Sequence, residues 1–299
     1  MNDILFVLVS YNSEQYIEDC VRSIMKLSMD GDVKIVLVDN ASTDRSVEIA
    51  NAIEGLDVIE LPENLGFGVA NNIACNRYCS DFYFIFNIDA YFDGEFNLAR
   101  VISVFDAYDD VAIVGTKLVY PDGSPQTSSF TYSTPSKWIK QIFPFFGDLK
   151  ALIMRVPFLL KLLCLMSSDV RSYLENQKMY APDYSISDVE WISGASMIVR
   201  GDYVKMHGLF DENIFLYGED EDLCLVAKSK GFRVVQQNTN PVVHVHGWNS
   251  SGRYNAKVAA LKFNSLKFFI NKHYAGSYKA VIMRLMLPVY VKGWKNIWR

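Results

Sequence analysis

The chain has 299 residues, half of them hydrophobic and 21% charged, which supplies a sizeable core and excludes a disordered polypeptide. Five scattered cysteines (Cys20, Cys75, Cys79, Cys164, Cys224) are odd in number and lack metal-ligand spacing, which argues against a disulfide framework and for reduced thiols. The net charge of −5 hides an asymmetry: Arg253 to Arg299 carry ten Lys or Arg and no acid, which leaves residues 1–252 with 19 basic against 34 acidic residues, or −15.

In chain order, "ILFVLVS" (4–10) reads as a strand; it is too short for a signal segment, and Asp3 stands where a basic flank would be expected. Strand-length apolar runs then alternate with amphipathic stretches through "VKIVLVD" (33–39), "LDVIEL" (56–61), "FYFIFN" (82–87) and "VAIVGTKLV" (111–119). Apolar strands separated by helix-length segments predict an α/β fold with a mostly parallel sheet covered on both faces. Ser13 and Thr43 stand where helix N-caps are expected. Residues 120–135, rich in Pro, Ser and Thr, read as a loop. A greasy stretch over 138–166 follows, interrupted by Lys150, Arg155 and Lys161 and broken by Pro144 and Pro157, so it falls short of a spanning helix. Two short strands, "ISDVEWIS" and "ASMIVR", precede a helix opening at "GEDEDLCLVAKSKG", the strands "FRVVQ" and "PVVHVHG", and two basic helices.

Ligands of a parallel α/β sheet gather at the carboxyl ends of its strands. Four polar clusters end successive strands: Ser10–Tyr11–Asn12, Asp39 to Asp44, Pro62 to Gly68, and Asn87 to Asp89. Tyr11 offers a ring for a nucleobase, Asp39 an acceptor for a base N–H or ribose hydroxyl, and Gly66 and Gly68 room for a phosphate. The loop after the first strand has no glycine, which argues against a nicotinamide site. Asp89 suits a hard divalent cation, Mg²⁺ or Mn²⁺, whose other oxygens come from substrate phosphates. Four acids in a row, Glu219 to Asp222, exceed what a helix dipole calls for, and crowding raises a carboxyl pKa toward that of a general base. Glu219 and Asp222 share a helix face, which leaves Asp220 free to meet the pocket. His244 and His246 alternate on one face, and either completes a metal shell, contacts a diphosphate, or is one of two polar residues on an edge.

Together "VLVSYNSEQYIEDCVRSI", "VDNASTDRSVEIA", "NLGFGVANN", "FNIDAYF", the stretch from "WISGASMIVR" to "GEDEDLCLVAKSKGFRVV" and "VVHVHGWNSS" resemble family 2 glycosyltransferases of GT-A fold, in their bacterial rhamnosyltransferase-like branch, over roughly residues 4–275. The resemblance implies a mixed, mostly parallel Rossmann-like sheet, inversion at the anomeric carbon, a dTDP- or UDP-linked sugar donor, a divalent cation, and a glycan or lipid-linked acceptor in cell-surface polysaccharide synthesis. By position it implies Tyr11, Asn12, Asp39, Asn64, Gly66 and Asn87 at the nucleotide sugar, Asp89 and His246 at the metal, Gly194, Ala195 and Glu219 at the acceptor, and Asp220 as catalytic base. Two departures stand out. The metal motif reads "NID", with Asn87 where many relatives carry Asp, and Val226 stands where relatives commonly carry arginine.

The expected organisation is a catalytic domain over 1–252, with an apolar helical insertion at about 138–178, followed by basic amphipathic helices over 253–299. The expected location is cytoplasmic, or peripheral on the inner face of the cytoplasmic membrane. A sugar-phosphate nucleotidyltransferase is the rival enzyme, but it wants a glycine-rich basic loop where "SYNSEQYIED" stands. The rival from another class is a non-catalytic protein binding nucleic acid or membrane through the basic tail. Nucleic acid is not an expected partner of the glycosyltransferase.

Overall fold

The alternation of apolar and amphipathic segments becomes a sheet with helices on both sides. The computed structural model describes residues 3–27, 31–94, 96–142, 186–245 and 256–297. Its first half runs β1 (Ile4–Ser10), α1 (Ile17–Met25), β2 (Val33–Asp39), α2 (Ser46–Asn51), β3 (Leu56–Glu60), α3 (Phe67–Arg77), β4 (Phe82–Asn87), β5 (Ala90–Phe92), α4 (Leu98–Ala107) and β6 (Val111–Val119). Next come β7 (Pro125–Gln126), β8 (Ser129–Phe130) and α5 (Pro135–Ile142), then β9 (Ile186–Asp188), β10 (Trp191–Ile192), β11 (Ser196–Arg200), α6 (Gly201–His207), α7 (Glu219–Ser229), β12 (Arg233–His244), α8 (Ala256–Tyr274) and α9 (Tyr278–Ile297).

The main sheet has the order β3-β2-β1-β4-β11-β6-β12-β5, with β7 on β6 and β9 on β12. Strands β1 to β4, β6 and β12 run one way, while β11 and the short β5, β7 and β9 oppose them. This is the mixed, mostly parallel sheet expected. Strand order reverses between β1 and β4, which opens a crevice at their carboxyl ends.

The register Phe6 to Phe84 and Val7 to Ile85 explains why β1 and β4 are apolar at every position. Phe6, Phe84 and Phe86 pack under Ile17, Val21 and Ile24 of α1 and Phe105 of α4. The alternate residues Val7, Val38 and Ile85 meet Ala70 and Ala74 of α3 and Leu223 of α7. A sheet buried on both faces needs such runs.

The structure differs from the sequence reading in several local places. Ser13 and Thr43 are not N-caps, since α1 is preceded by Tyr16 and α2 by Arg45. Their groups stitch two loops together: Thr43 donates its N–H to Asn12 Oδ1 (2.7 Å), and Ser13 donates its own to Ser46 Oγ (2.9 Å). "FRVVQ" and "PVVHVHG" form one strand, β12, whose register slips between Gln237 and Val242, around Pro241 with its missing N–H. The 120–135 loop holds two short strands. Of the expected insertion, only its start in α5 is described; the remainder of 143–178 lies outside the described residues. Trp138 of α5 is buried and stacks on Tyr290 of α9, ring centroids 4.2 Å apart, in a small core with Leu266, Ile270, Met283 and Leu287.

Candidate active site

The carboxyl ends of β1, β2 and β4 bring the predicted donor residues to one edge of the sheet. Asn12 takes a left-handed backbone (φ 53°), and its N–H donates to Ser42 Oγ (2.9 Å). Ser42 in turn donates its N–H and hydroxyl to Asp39, at 2.8 and 2.5 Å. Asp39 is buried, each oxygen keeping a further lone pair. Asn40 ties this loop to the next, donating Nδ2 to the Gly66 carbonyl and accepting from Leu65 N–H (2.8 Å). Asn64 folds back on Gly66 N–H (3.0 Å). Tyr11 stands out from this network with its ring half exposed, at 50%.

Gly66 and Gly68 were expected to clear room for a phosphate, and the structure gives both another task. At Gly66 (φ +90°) a Cβ would lie 2.5 Å from the Phe215 carbonyl, and at Gly68 one would lie 3.0 Å from Phe210 Cβ. The glycines let residues 210–215 close against the donor loop.

At the end of β4 the metal candidate Asp89 meets a histidine. Asp89 Oδ1 lies 3.3 Å from His244 Nε2, which is also 3.2 Å from Asn87 Nδ2. The other ring nitrogen, Nδ1, is 2.9 Å from Gln126 Oε1, which fixes the ring. His246, the predicted ligand, lies outside the described residues; the histidine at Asp89 is His244, with Gln126, a residue no sequence signal marked. Asn87 is thus a neighbour of this pair.

Asp220 stands at the same edge. Its Oδ2 accepts from Gly194 N–H (3.2 Å) and its Oδ1 from Glu221 N–H (2.9 Å). The carbonyl of Ala195, the next residue, accepts from Asn87 N–H (3.0 Å). Gly194 and Ala195 are buried, so they bring the Asp220 carboxylate and the β4 end together through backbone. A Cβ on Gly194 would sit 3.7 Å from Asp220 Cβ and 3.6 Å from Phe67 Cε1, so donor helix, turn and acid are in mutual contact. Burial raises the Asp220 pKa above the ordinary carboxylate value, against the pull of its two backbone hydrogen bonds.

Such an arrangement, with Asp220 linked through Gly194–Ala195 to the end of the strand that precedes Asp89, invites comparison with known proteins. The profile of glycosyl transferase family 2 matches residues 6–158, half of the chain. The chain belongs to glycosyl transferase family 2. This glycosyltransferase is 24% identical over 293 residues to an N-acetylglucosaminyl-diphospho-decaprenol L-rhamnosyltransferase of Mycobacterium tuberculosis, covering 94% of this chain and 88% of that one. It is 26% identical over 236 residues to the rhamnosyltransferase WbbL of Escherichia coli K12, covering 77% and 79%. In fold it is similar to a Pyrobaculum calidifontis mannosyltransferase solved with GDP-Man and Mn²⁺ (TM-score 0.57, 15% identity, 97% of this chain and 69% of that one). Staphylococcus aureus TarS 1–349 solved with UDP-GlcNAc is also similar (TM-score 0.54, 16% identity, 97% and 72%).

The acidic helix α7 of this glycosyltransferase is held by groups far along the chain. Asp222, almost fully buried, receives His273 Nε2 at 2.5 Å and Lys272 Nζ at 2.8 Å, and Lys272 also reaches Asp211 at 2.7 Å. Burial would lower the Lys272 pKa, but its bonds to Asp211 and Asp222 outweigh that and raise it. Glu221 accepts from Ser133 N–H and Oγ, yet burial lifts its pKa to about 7. Glu219, expected at the acceptor, is 8% exposed and lies in the field of Lys262 of α8. Burial raises Glu219 and lowers Lys262, whose Nζ sits 4.5 Å from the Tyr217 ring centre. Glu219 and Asp222 therefore share the face turned to α8, and Asp220 points away from it. Lys262, Lys272, His273 and Ser133 escaped the sequence reading. Lys262 alone left a trace, as a charge within the apolar stripe Lys262–Leu266–Phe269–Ile270.

Proposed function

We propose that this glycosyltransferase is inverting and metal-dependent, and that it moves rhamnose from a dTDP- or UDP-linked donor to a hydroxyl of a lipid-linked glycan acceptor in cell-surface polysaccharide synthesis. The names of the mycobacterial and E. coli relatives support the sugar, and the decaprenol-linked substrate in the former supports the acceptor. The work would be done in the cytoplasm, at the inner face of the cytoplasmic membrane where such an acceptor is held.

The observation that carries the reading is the Gly194–Ala195 step, which bonds to Asp220 on one side and to Asn87 of β4 on the other. It supports Asp220 as the base, near the strand end that leads to the candidate metal carboxylate Asp89. Tyr11 would stack on the base, while Asp39, Asn12 and Asn64 would hold the nucleoside. Asp220, its basicity raised by burial, would take the proton of the acceptor hydroxyl. A base on one side of the anomeric carbon and a leaving diphosphate on the other amount to in-line displacement with inversion.

Asp89 Oδ1 and His244 Nε2, 3.3 Å apart, form an oxygen–nitrogen pair that fits a divalent cation such as Mn²⁺ or Mg²⁺. Among the described residues no group of three His, Cys, Asp or Glu converges, so the diphosphate would have to complete the shell. When bound, the cation supplies Lewis-acid stabilisation of charge on the departing diphosphate. Gln126, accepting from Nδ1–H, would leave the single Nε2 lone pair for the cation, which would displace Asn87 Nδ2 from it.

The test is a panel of dTDP-, UDP- and GDP-sugars, with Mn²⁺, Mg²⁺ or EDTA, read by thermal shift and by NMR of the product formed on a polyprenyl-diphosphate sugar. The expected result is a metal-dependent stabilisation by one nucleotide and an inverted linkage. Retention at the anomeric carbon, stabilisation by no nucleotide, or transfer undiminished in Asp220→Asn would overturn the reading.

A further inference from the structure

Helix α9 has two unlike sides. Met283, Leu287, Tyr290 and Val291 are buried against α8 and Trp138. The opposite side presents Tyr278 (73% exposed), Val281 (56%), Leu285 (76%) and Val289 (52%), at the spacing of one helix face. Arg284 and Lys292 are exposed beside this stripe. No acidic residue occurs between Arg253 and Arg299, whereas residues 1–252 carry −15. Among the described residues no helix is long and apolar enough to cross a membrane.

We propose that the outer face of α9 docks on an anionic lipid surface, its apolar stripe lying in the interface and its cations at the headgroups. The charges choose this occupant. An apolar stripe this exposed is poorly suited to nucleic acid, and a second copy seated on it would bring like charges together without an acid to offset them. A negative bilayer satisfies both the stripe and its basic rim, and repels the acidic body, so the charge asymmetry also sets which way the molecule lands. Docking is relayed to the site through rigid contacts: α9 packs on α8, and α8 grips α7 through Lys272 and His273 on Asp222. The base Asp220 thereby keeps a fixed height over the surface. This gives the lipid-linked acceptor reading its geometry and rests on that reading for its purpose only.

The test is sedimentation of the full chain, without donor or acceptor, with vesicles of phosphatidylcholine containing roughly a third phosphatidylglycerol. Binding to these and not to pure phosphatidylcholine is expected. The double variant Val281→Ser/Leu285→Ser should bind at least about tenfold more weakly, with an unchanged melting temperature and unchanged turnover of a water-soluble acceptor analogue. Absence of binding by the wild type, or equal binding by the variant, overturns the proposal. So does a dimer that the variant abolishes, RNA retention that the variant abolishes, or a melting temperature several degrees lower in the variant, which would mean that the stripe is covered. Because binding is read without catalysis, its failure leaves glycosyl transfer standing, and an inactive enzyme that still binds vesicles would sink only the function.

Discussion

The proposed donor and acceptor sides of the site are built by opposite means. On the donor side, Asn12, Ser42, Asp39, Asn40 and Asn64 satisfy one another and nearby backbone within the first 66 residues, through many hydrogen bonds of modest strength. On the proposed acceptor side four successive carboxylates open one helix, and the groups that meet two of them, Lys262 near Glu219 and Lys272 and His273 on Asp222, come from far along the chain. The donor side is a mesh in which single losses are small; the acceptor side concentrates its electrostatics in a few buried charges, where single losses are large.

The largest effect that contrast predicts is on Asp220. Asp220→Asn keeps an acceptor for Gly194 N–H but removes the base, and kcat should fall about 10³-fold in a steady-state transfer assay, with the fold intact. Next is Asp222→Ala, which removes the carboxylate under His273 and leaves Lys272 with Asp211 alone; urea melts should show a loss of about 3 kcal/mol. A smaller effect concerns Glu221, whose pKa is raised in the fold to about 7. A carboxyl raised in this way contributes stability that is present below its unfolded pKa, near 4.5, and lost as pH rises through about 7. Denaturant melts from pH 5 to 8 should therefore show the wild type losing on the order of 2 kcal/mol that Glu221→Gln retains. On the donor side, Tyr11→Ala should raise the donor KM about tenfold, as loss of one base stack does, while Tyr11→Phe leaves it unchanged. Ser42→Ala should cost about 1 kcal/mol, the worth of one hydrogen bond. A Ser42→Ala loss as large as that of Asp222→Ala would erase the contrast between the two sides.

The same contrast decides what could be read without coordinates. The sheet was legible because β1, β2 and β4 are buried on both faces along most of their length and their sequences are correspondingly near-continuous apolar runs. The residues proposed for the donor could be singled out because each cluster is contiguous and follows a strand. Glu219 and Asp222 on one face, with Asp220 on another, followed from helical spacing alone. Lys272, His273 and Ser133 were not legible, since a surface helix is full of lysines and nothing local reports which of them meets a carboxylate 50 or more residues away. The packing of the two glycines was not legible for a related reason: a glycine that clears space for a ligand and one that clears space for Phe210 or Phe215 look alike in sequence. That His244 lies at Asp89 was not legible, because it depends on the register of β12, which slips around Pro241.

One consequence of the clamp on Asp222 concerns the order in which the molecule can be made. A ribosome delivers the mutual hydrogen-bond partners of the donor mesh by residue 66, and β4, which flanks β1, by residue 87, so that half can settle early. The acidic helix emerges long before Lys272 and His273, which bond to Asp222, and until they arrive its burial would leave Asp222 stranded in a medium of low polarity. The acceptor half is thus completed only when the last helices have left the exit tunnel, and a truncated chain would be born with its nucleotide cradle formed and its catalytic shoulder loose.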